Sequence, residues 1–150
     1  MTIIPFTKQG YEKLKKELED EIAKRPAAVE VLKRGREMGD LSENGLYKAA
    51  RMELSSIDRQ IRHLKNLVLY GRTSGPKDNH TVQLGHTVIT ETGRGKKEFT
   101  IVGEWEANPK ENKISLKSPI GHNLMGRKVG EKIEINTPQA RIEYEIITIA

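Results

Sequence analysis

The sequence predicts an α+β fold, with an antiparallel α-helical coiled-coil hairpin in residues 1–75 and a small antiparallel β-sheet domain with one short helix in residues 76–150. Three observations predict this division. Apolar residues in the first half recur at steps of three and four, whereas the second half follows a period of two. Between the halves, residues 71–79 are rich in glycine, proline and other helix-breaking residues, which is typical of a linker.

The heptad-like pattern predicts two long helices, at about residues 8–38 and 41–70. Thr7 is a suitable N-cap for the first helix, and Gly39 and Gly71 are suitable residues to end the two helices. Two amphipathic helices joined by so few residues bury their apolar stripes by folding back on each other. The predicted stripes contain Tyr11, Leu14, Leu18, Ile22, Val29 and Leu32 in the first helix, and Tyr47, Ala50, Leu54, Ile57, Ile61, Leu64 and Val68 in the second.

The second half predicts five strands and a short helix. Two strands, at 86–92 and 97–104, flank a glycine-containing turn that is typical of a hairpin. A third strand is expected at 113–117, and a closing hairpin at 131–137 and 141–149. Between them, Ser118 followed by a proline favours the start of a short helix that ends near residue 124.

Composition narrows the possible classes of function. The 150 residues contain no cysteine, which excludes disulfides and thiolate chemistry and favours an intracellular protein. Neither a signal peptide nor an apolar stretch of roughly 20 residues is visible, so we expect a cytoplasmic protein with no membrane partner. The net charge of +5, most of it in the first half, favours polyanionic partners. Because only 5% of residues are aromatic, a base-stacking single-strand binding module is not expected.

Residues 39–44, Gly-Asp-Leu-Ser-Glu-Asn, form the predicted tip of the hairpin. Asp40 and Glu43 have the spacing of a capping box at the start of the second helix, and carboxylates at helix starts are common. Alternatively, both carboxylates project from the tip, where one could hold a hard divalent cation and the other could orient a metal-activated water. One or two carboxylates do not complete a magnesium site, so a partner would have to supply the remaining ligands. Ser42, Asn44 and Tyr47 are candidate supports of the tip.

Basic residues form a second candidate site. Lys48, Arg51, Arg59 and Arg62 fall on one outer face of the second helix, and Arg36 lies near the end of the first. A charged face of a helix is commonly only a solvated surface. The functional alternative is an electrostatic track that contacts nucleic-acid phosphates or an acidic channel.

Several motifs together resemble the GreA/GreB family of bacterial transcript cleavage factors, the GreA type more closely, over nearly the whole chain. The most specific is the tip segment 39–44 followed by Tyr47. Others are the opening of the first helix at 5–14, the Arg-Pro pair at 25–26, and short segments of the second half at 101–103, 118–120, 126–130 and 144–146. The chain departs from the family pattern at Met38 and at the Gly45-Leu46 pair.

The resemblance implies an elongation factor that is not itself an enzyme. Its hairpin would enter the secondary channel of a backtracked bacterial RNA polymerase, and its second domain, similar to the FK506-binding proteins, would dock at the channel rim. Asp40 would help to hold a Mg²⁺ ion jointly with the polymerase, and Glu43 would assist the attacking water. The nascent RNA 3′ end would then be cleaved by the polymerase. The protein would need no cofactor of its own, and we expect a monomer.

Two alternatives remain at the level of sequence. A protein of the same shape could plug the channel and inhibit transcription, although Asp40 and Glu43 favour stimulation. A prolyl isomerase is suggested by the resemblance of the second domain alone, which is weak support. That domain offers few aromatic residues for an isomerase pocket, namely Phe99, Trp105 and Tyr144.

Overall fold

The computed structural model describes residues 3–38 and 45–150 and confirms the predicted α+β class. Its contacts divide the chain into two compact units. One is Glu12–Tyr70, and the other combines the N-terminal segment through Tyr11 with Gly71–Ala150. This division differs from the predicted one at residue 75, because the N-terminal segment and residues 71–75 belong with the sheet.

The elements follow the order expected from the change of period along the sequence. In chain order they are β1 (Ile4–Phe6), α1 (Lys8–Glu37), α2 (Gly45–Tyr70), β2 (Gly71–Thr73), β3 (Thr87–Thr92), β4 (Gly95–Val102), β5 (Lys113–Ser115), α3 (Pro119–Leu124), β6 (Lys132–Asn136) and β7 (Arg141–Ile149). Wherever the predicted helix bounds fall on described residues, they agree with the observed bounds to within one residue. The predicted start of α2 at residue 41 lies outside the described residues.

The helices α1 and α2 form the predicted antiparallel hairpin. Arg25 pairs with Asp58, and Gly35, further along α1, lies against Tyr47, which is earlier on α2. A Cβ atom built on Gly35 would lie 3.0 Å from the Cα of Tyr47. Only a residue without a side chain leaves room for so close an approach of the two backbones, so Gly35 sets the spacing of the helices near their connection.

Apolar packing in the hairpin comes mainly from α2. Its buried residues are Ala50, Ile57, Ile61, Leu64 and Leu67, all but the last at predicted stripe positions. On α1, Leu14 is buried, but the predicted stripe residues Ile22 and Val29 remain 45% and 39% exposed. Between them, Arg25 Nε donates a hydrogen bond of 2.8 Å to Asp58 Oδ1. Near the middle of the hairpin, the two helices are therefore joined by an ion pair, in a region where α1 buries few apolar residues.

The second unit contains a five-stranded sheet in the order β5-β4-β3-β7-β6. Its strands contribute Val88, Phe99, Ile101, Ile133, Ile135, Tyr144, Ile146 and Ile149 to one core. Val82 and Leu84, before β3, and Leu124 of α3 complete this core. The helix α3 begins as predicted, with Ser118 Oγ accepting a hydrogen bond of 3.1 Å from the Gly121 N–H. The period of two in the sequence therefore arises because one face of the strands is buried in the core and the other is more exposed.

Two features correct the sequence-based prediction of this unit. The sheet is not wholly antiparallel, because β5 pairs parallel to β4, with Thr100 opposite Lys113. The chain between them makes two short 3₁₀ turns, at Glu104–Glu106 and Pro109–Glu111, and returns in the same direction. In addition, the first residues of the predicted linker form β2, which pairs parallel to β1.

The N-terminus of α1 is capped by residues from two distant parts of the chain. Thr7 is the predicted N-cap, since its Oγ1 accepts a hydrogen bond of 3.1 Å from the Gly10 N–H. The carboxylate of Glu106 accepts hydrogen bonds from the Thr7 N–H (2.9 Å) and hydroxyl and from the Gly103 N–H (2.8 Å). Glu106 thus takes the part that an acidic third residue of the helix plays in a capping box. Gly10 occupies that third position, where a Cβ would overlap the Glu106 side chain.

We predict that Glu106→Gln lowers the free energy of unfolding of the sheet unit by about 1–3 kcal/mol, because an amide leaves charge-assisted bonds unmade and turns an NH₂ group toward donors. Urea unfolding followed by Trp105 fluorescence measures this change. The control is Glu104→Gln in the same turn, since Glu104 makes an exposed ion pair with Lys117 (3.1 Å). Equal effects of the two substitutions would contradict the capping role.

We also predict that Gly35→Leu destabilises the hairpin by about 1–3 kcal/mol, the usual effect of overpacking. The matched control is Gly45→Leu on α2, where an added Cβ meets nothing within 4 Å. There, removing a helical glycine should leave stability unchanged or raise it by up to about 1 kcal/mol. Thermal unfolding followed by circular dichroism at a helical wavelength separates the two. A Gly35→Leu protein as stable as the control would show that the helices can move apart freely.

Candidate nucleic-acid interface

The acidic residues of the predicted tip, Asp40 and Glu43, lie outside the described residues, as do Ser42 and Asn44. In sequence they fall between the end of α1 at Glu37 and the start of α2. The structure therefore tests neither the capping nor the projecting role of these side chains.

Tyr47 is the one predicted tip support that the structure describes. It is half-buried on the first turns of α2, against Gly35 of α1. This places Tyr47 in the seam between the helices, one of the two positions that the sequence allowed. Its backbone helps to fix how the two helix ends meet next to the acidic segment.

A shallow groove of about 420 Å³ runs along the outer face of α2. It is lined by Lys48, Arg51, Met52, Ser55 and Arg59. Apart from the adjacent Arg51 and Met52, neighbouring residues of the groove are three or four positions apart, the spacing that places side chains on one face of a helix. The groove lies opposite the buried stripe, because the same periodicity directs the apolar residues of α2 toward α1.

The charge of this face follows from where α2 places its acidic residues. Asp58 turns toward α1, where the hydrogen bond from Arg25, supported by its charge and that of Arg62, holds the pKa of Asp58 below its usual range. Glu53 is exposed on α2 and does not line the groove.

The cations of the groove are not neutralised within the described residues. There, Lys48, Arg51 and Arg59 have no carboxylate within ion-pair distance, although ion pairs such as Lys24 with Glu21 and Arg34 with Glu30 occur on α1. Asp58 is paired with Arg25 of α1, and neither Asp58 nor Glu53 lines the groove, so this face stays positively charged. A face of this kind attracts polyanions at long range.

The structure brings together three of the five predicted basic residues. Arg62 is exposed on α2 but does not line the groove, and its charge instead adds to the lowered pKa of Asp58. Arg36 is exposed on the last turn of α1 and also lies outside the groove. The groove therefore contains the part of the predicted track that lies on the first four turns of α2.

Sequence reasoning missed two residues of the groove, Met52 and Ser55. Met52 is 74% exposed, and its position between the cations places a large apolar group on a charged face. The signal was present in the sequence, since Met52 follows Lys48 by four positions and precedes Arg59 by seven. Both residues lie off the apolar stripe of α2, so the apolar periodicity does not mark them.

The groove has the chemistry of a binding surface. Its polar groups are two guanidinium groups, one ammonium group and one hydroxyl, which suit phosphate and sugar oxygens. From Lys48 to Arg59 the helix rises about 16 Å, enough to follow a short stretch of an extended strand. Among residues 3–38 and 45–150, no cluster of three His, Cys, Asp or Glu side chains could hold a metal ion.

Two other expectations from sequence can be compared with the structure. None of the helices within the described ranges is both long and apolar enough to cross a membrane. Phe99 and Tyr144, which an isomerase pocket would need, are 3% and 5% exposed and pack edge to face in the core, with their ring centres 5.8 Å apart. These two rings therefore stabilise the sheet unit and do not line an open pocket.

Comparison with known proteins assigns both halves of the chain. Residues 4–69 match the model of the N-terminal domain of transcription elongation factors, and residues 77–150 match that of the GreA/GreB C-terminal domain. A transcription elongation factor GreA of Bacillus anthracis is 41% identical over 97% of this chain and 95% of its own length. GreA of Thermodesulfovibrio yellowstonii is 40% identical over 98% and 96%.

Among solved structures, the GreA factor homolog 1 protein of Thermus thermophilus is 27% identical, with 99% of both chains covered and a TM-score of 0.47. The assignment of the family is based on the two family models and the GreA sequences, and not on this structural similarity. Since the two models cover both halves and the similarity extends over nearly the full length, the chain belongs to the GreA/GreB family of transcription elongation factors.

Proposed function

We propose that this elongation factor binds backtracked bacterial RNA polymerase through the secondary channel and stimulates the polymerase's own cleavage of the nascent RNA 3′ end. The observation that carries the proposal is family membership over both halves of the chain. The hairpin agrees with it, because α1 and α2 are packed together up to Gly35 and Tyr47, next to the acidic segment. A packed pair of helices is stiff enough to carry side chains into the interior of a partner.

The division of roles follows from the charges of the two regions. Lys48, Arg51 and Arg59 would hold phosphates of the extruded RNA, which single-stranded RNA presents along its backbone. Asp40 would provide one carboxylate ligand to a Mg²⁺ ion of the polymerase, and the other ligands would come from the polymerase itself. The ion, when bound, lowers the pKa of a water molecule.

Glu43 has a separate role in this proposal. Its carboxylate would accept a hydrogen bond from the attacking water and take its proton, as a general base does. Since neither carboxylate completes a site without the polymerase, the protein would catalyse no hydrolysis by itself. It would add negative charge to a reaction that the polymerase already performs slowly.

We predict that Asp40→Asn and Glu43→Gln each reduce cleavage stimulation by roughly 10²–10³-fold, the usual loss when a charge contact in the transition state is removed. The assay is release of labelled RNA fragments from a stalled, backtracked polymerase with Mg²⁺. Asp20→Asn and Glu19→Gln on the exposed part of α1 are matched controls that should retain full stimulation.

Two results of this assay, and a third from a separate RNA synthesis assay, would contradict the proposal. The first is a wild-type protein that does not accelerate cleavage, and the second is a pair of tip variants as active as the controls. The third is reduced RNA synthesis on templates that are not backtracked, which would indicate a channel-blocking inhibitor. The lengths of the released fragments would further distinguish the GreA type from the GreB type.

For the basic face, we predict that Arg51→Gln with Arg59→Gln raises the protein concentration needed for half-maximal cleavage but leaves the maximal rate unchanged. This is the kinetic pattern of lost ground-state binding. Each lost phosphate contact should also reduce the slope of log affinity against log salt by about 0.7, the value for single strands. Lys65→Gln, which removes a charge from α2 outside the groove, is the control. An unchanged salt slope in the double variant would exclude phosphate contacts.

A further inference from the structure

Met52 is the most exposed large apolar residue in the part of the chain that the structure describes. It lies inside the cationic groove of α2, with Lys48 one turn before it and Arg59 two turns after it. An exposed apolar group bordered by polar residues is typical of a ligand-binding surface. Phosphate binding alone does not account for it, because a thioether adds nothing to the recognition of an anion.

We propose that Met52 contacts a nucleobase of the extruded single-stranded RNA while the neighbouring cations hold its phosphates. This inference rests on the proposed function and adds a base contact to it. A thioether is polarisable and flexible, and it contacts aromatic rings favourably at their edges and faces. Guanidinium groups also stack on bases, so Arg51 and Arg59 beside Met52 extend the same surface. Ser55 places a hydroxyl in the groove, where it can reach sugar or base edges.

Single-stranded RNA fits this surface better than the other polyanions that a cationic face attracts. In a nucleic-acid duplex the bases are stacked inside. The groove on α2 would then contact phosphates, and Met52 would face the sugar-phosphate backbone. An acidic protein surface would satisfy the cations, but only some such surfaces place an apolar ring next to the charges, whereas every nucleotide of a single strand carries one. An unstacked strand presents charged phosphates and apolar rings side by side, which matches the alternation of Lys48, Met52 and Arg59 along α2.

The test compares two backtracked polymerase complexes whose RNAs have the same length. One carries an ordinary extruded 3′ segment, and in the other the extruded nucleotides are abasic. The measured quantity is the protein concentration for half-maximal cleavage, with wild type, Met52→Gln and Leu69→Gln on each RNA. Glutamine keeps the length and helix propensity of methionine, so α2 is retained. Leu69 is a matched control, since it is exposed on α2 and lies outside the groove.

On the ordinary RNA, Met52→Gln should raise the half-maximal concentration by about two- to tenfold, the range expected for loss of a thioether–ring contact. On the abasic RNA, Met52→Gln and wild type should be equal, and Leu69→Gln should match wild type on both. No effect of Met52→Gln on the ordinary RNA would overturn the base contact. An equal effect on both RNAs would also overturn it and would place Met52 against the polymerase.

The outcome separates this inference from the proposed function. If wild type stimulates cleavage and the Arg51 and Arg59 variants weaken it, the proposed function holds whatever Met52→Gln does. If wild type fails to stimulate cleavage of the ordinary RNA, the proposed function fails first.

Discussion

The pairing of α1 with α2 is the constraint on which the candidate site depends. In proteins most helical stability comes from the packing of an amphipathic face, and here that face belongs mainly to α2, since Ile22 and Val29 of the α1 stripe stay 45% and 39% exposed. The same packing decides which charges are neutralised. Asp58 is bound by Arg25 of α1, and Glu53 does not line the outer groove. The groove is cationic because no carboxylate of α2 lies in it.

This arrangement links stability and function in one element. A helix with five basic and two acidic residues, as α2 has, could present a mixed surface if its acids were distributed around it. Because neither lines the groove, Lys48, Arg51 and Arg59 have no carboxylate within ion-pair distance among the described residues. For Asp58, the pairing with Arg25 that joins the helices also removes one negative charge from the outer face.

Much of the fold could be predicted from the sequence because the deciding forces are local. The apolar periodicity of three and four defines α1 and α2, and Thr7 and Ser118 mark the starts of α1 and α3 through ordinary N-capping. The strand pattern likewise shows which residues enter the core. Within the site, Lys48, Arg51 and Arg59 could be identified because helical spacing alone puts them on one face.

The remaining features depend on contacts between distant residues, which periodicity does not encode. Glu106 lies 99 residues from Thr7, and nothing in the local sequence of either shows that they meet. The parallel pairing of β5 depends on how the chain returns through two short turns. Met52 was missed for a different reason, since stripe analysis assigns apolar residues to cores and Met52 lies on the charged side.

The contact between the N-terminal segment and the turn at Gly103–Glu106 has a consequence for exchanging domains among relatives. A Cβ on Gly103 would lie 2.1 Å from the Pro5 carbonyl oxygen, and one on Gly10 would overlap Glu106. A substitution at Gly10 or Gly103 would therefore require the facing segment to move. A chimaera joined at the linker would combine the first eleven residues of one parent with the turn of another. Exchanging only residues 12–70 leaves each N-terminal segment with the turn of its own parent. The segment that can be exchanged is therefore internal to the chain and does not include everything before the linker.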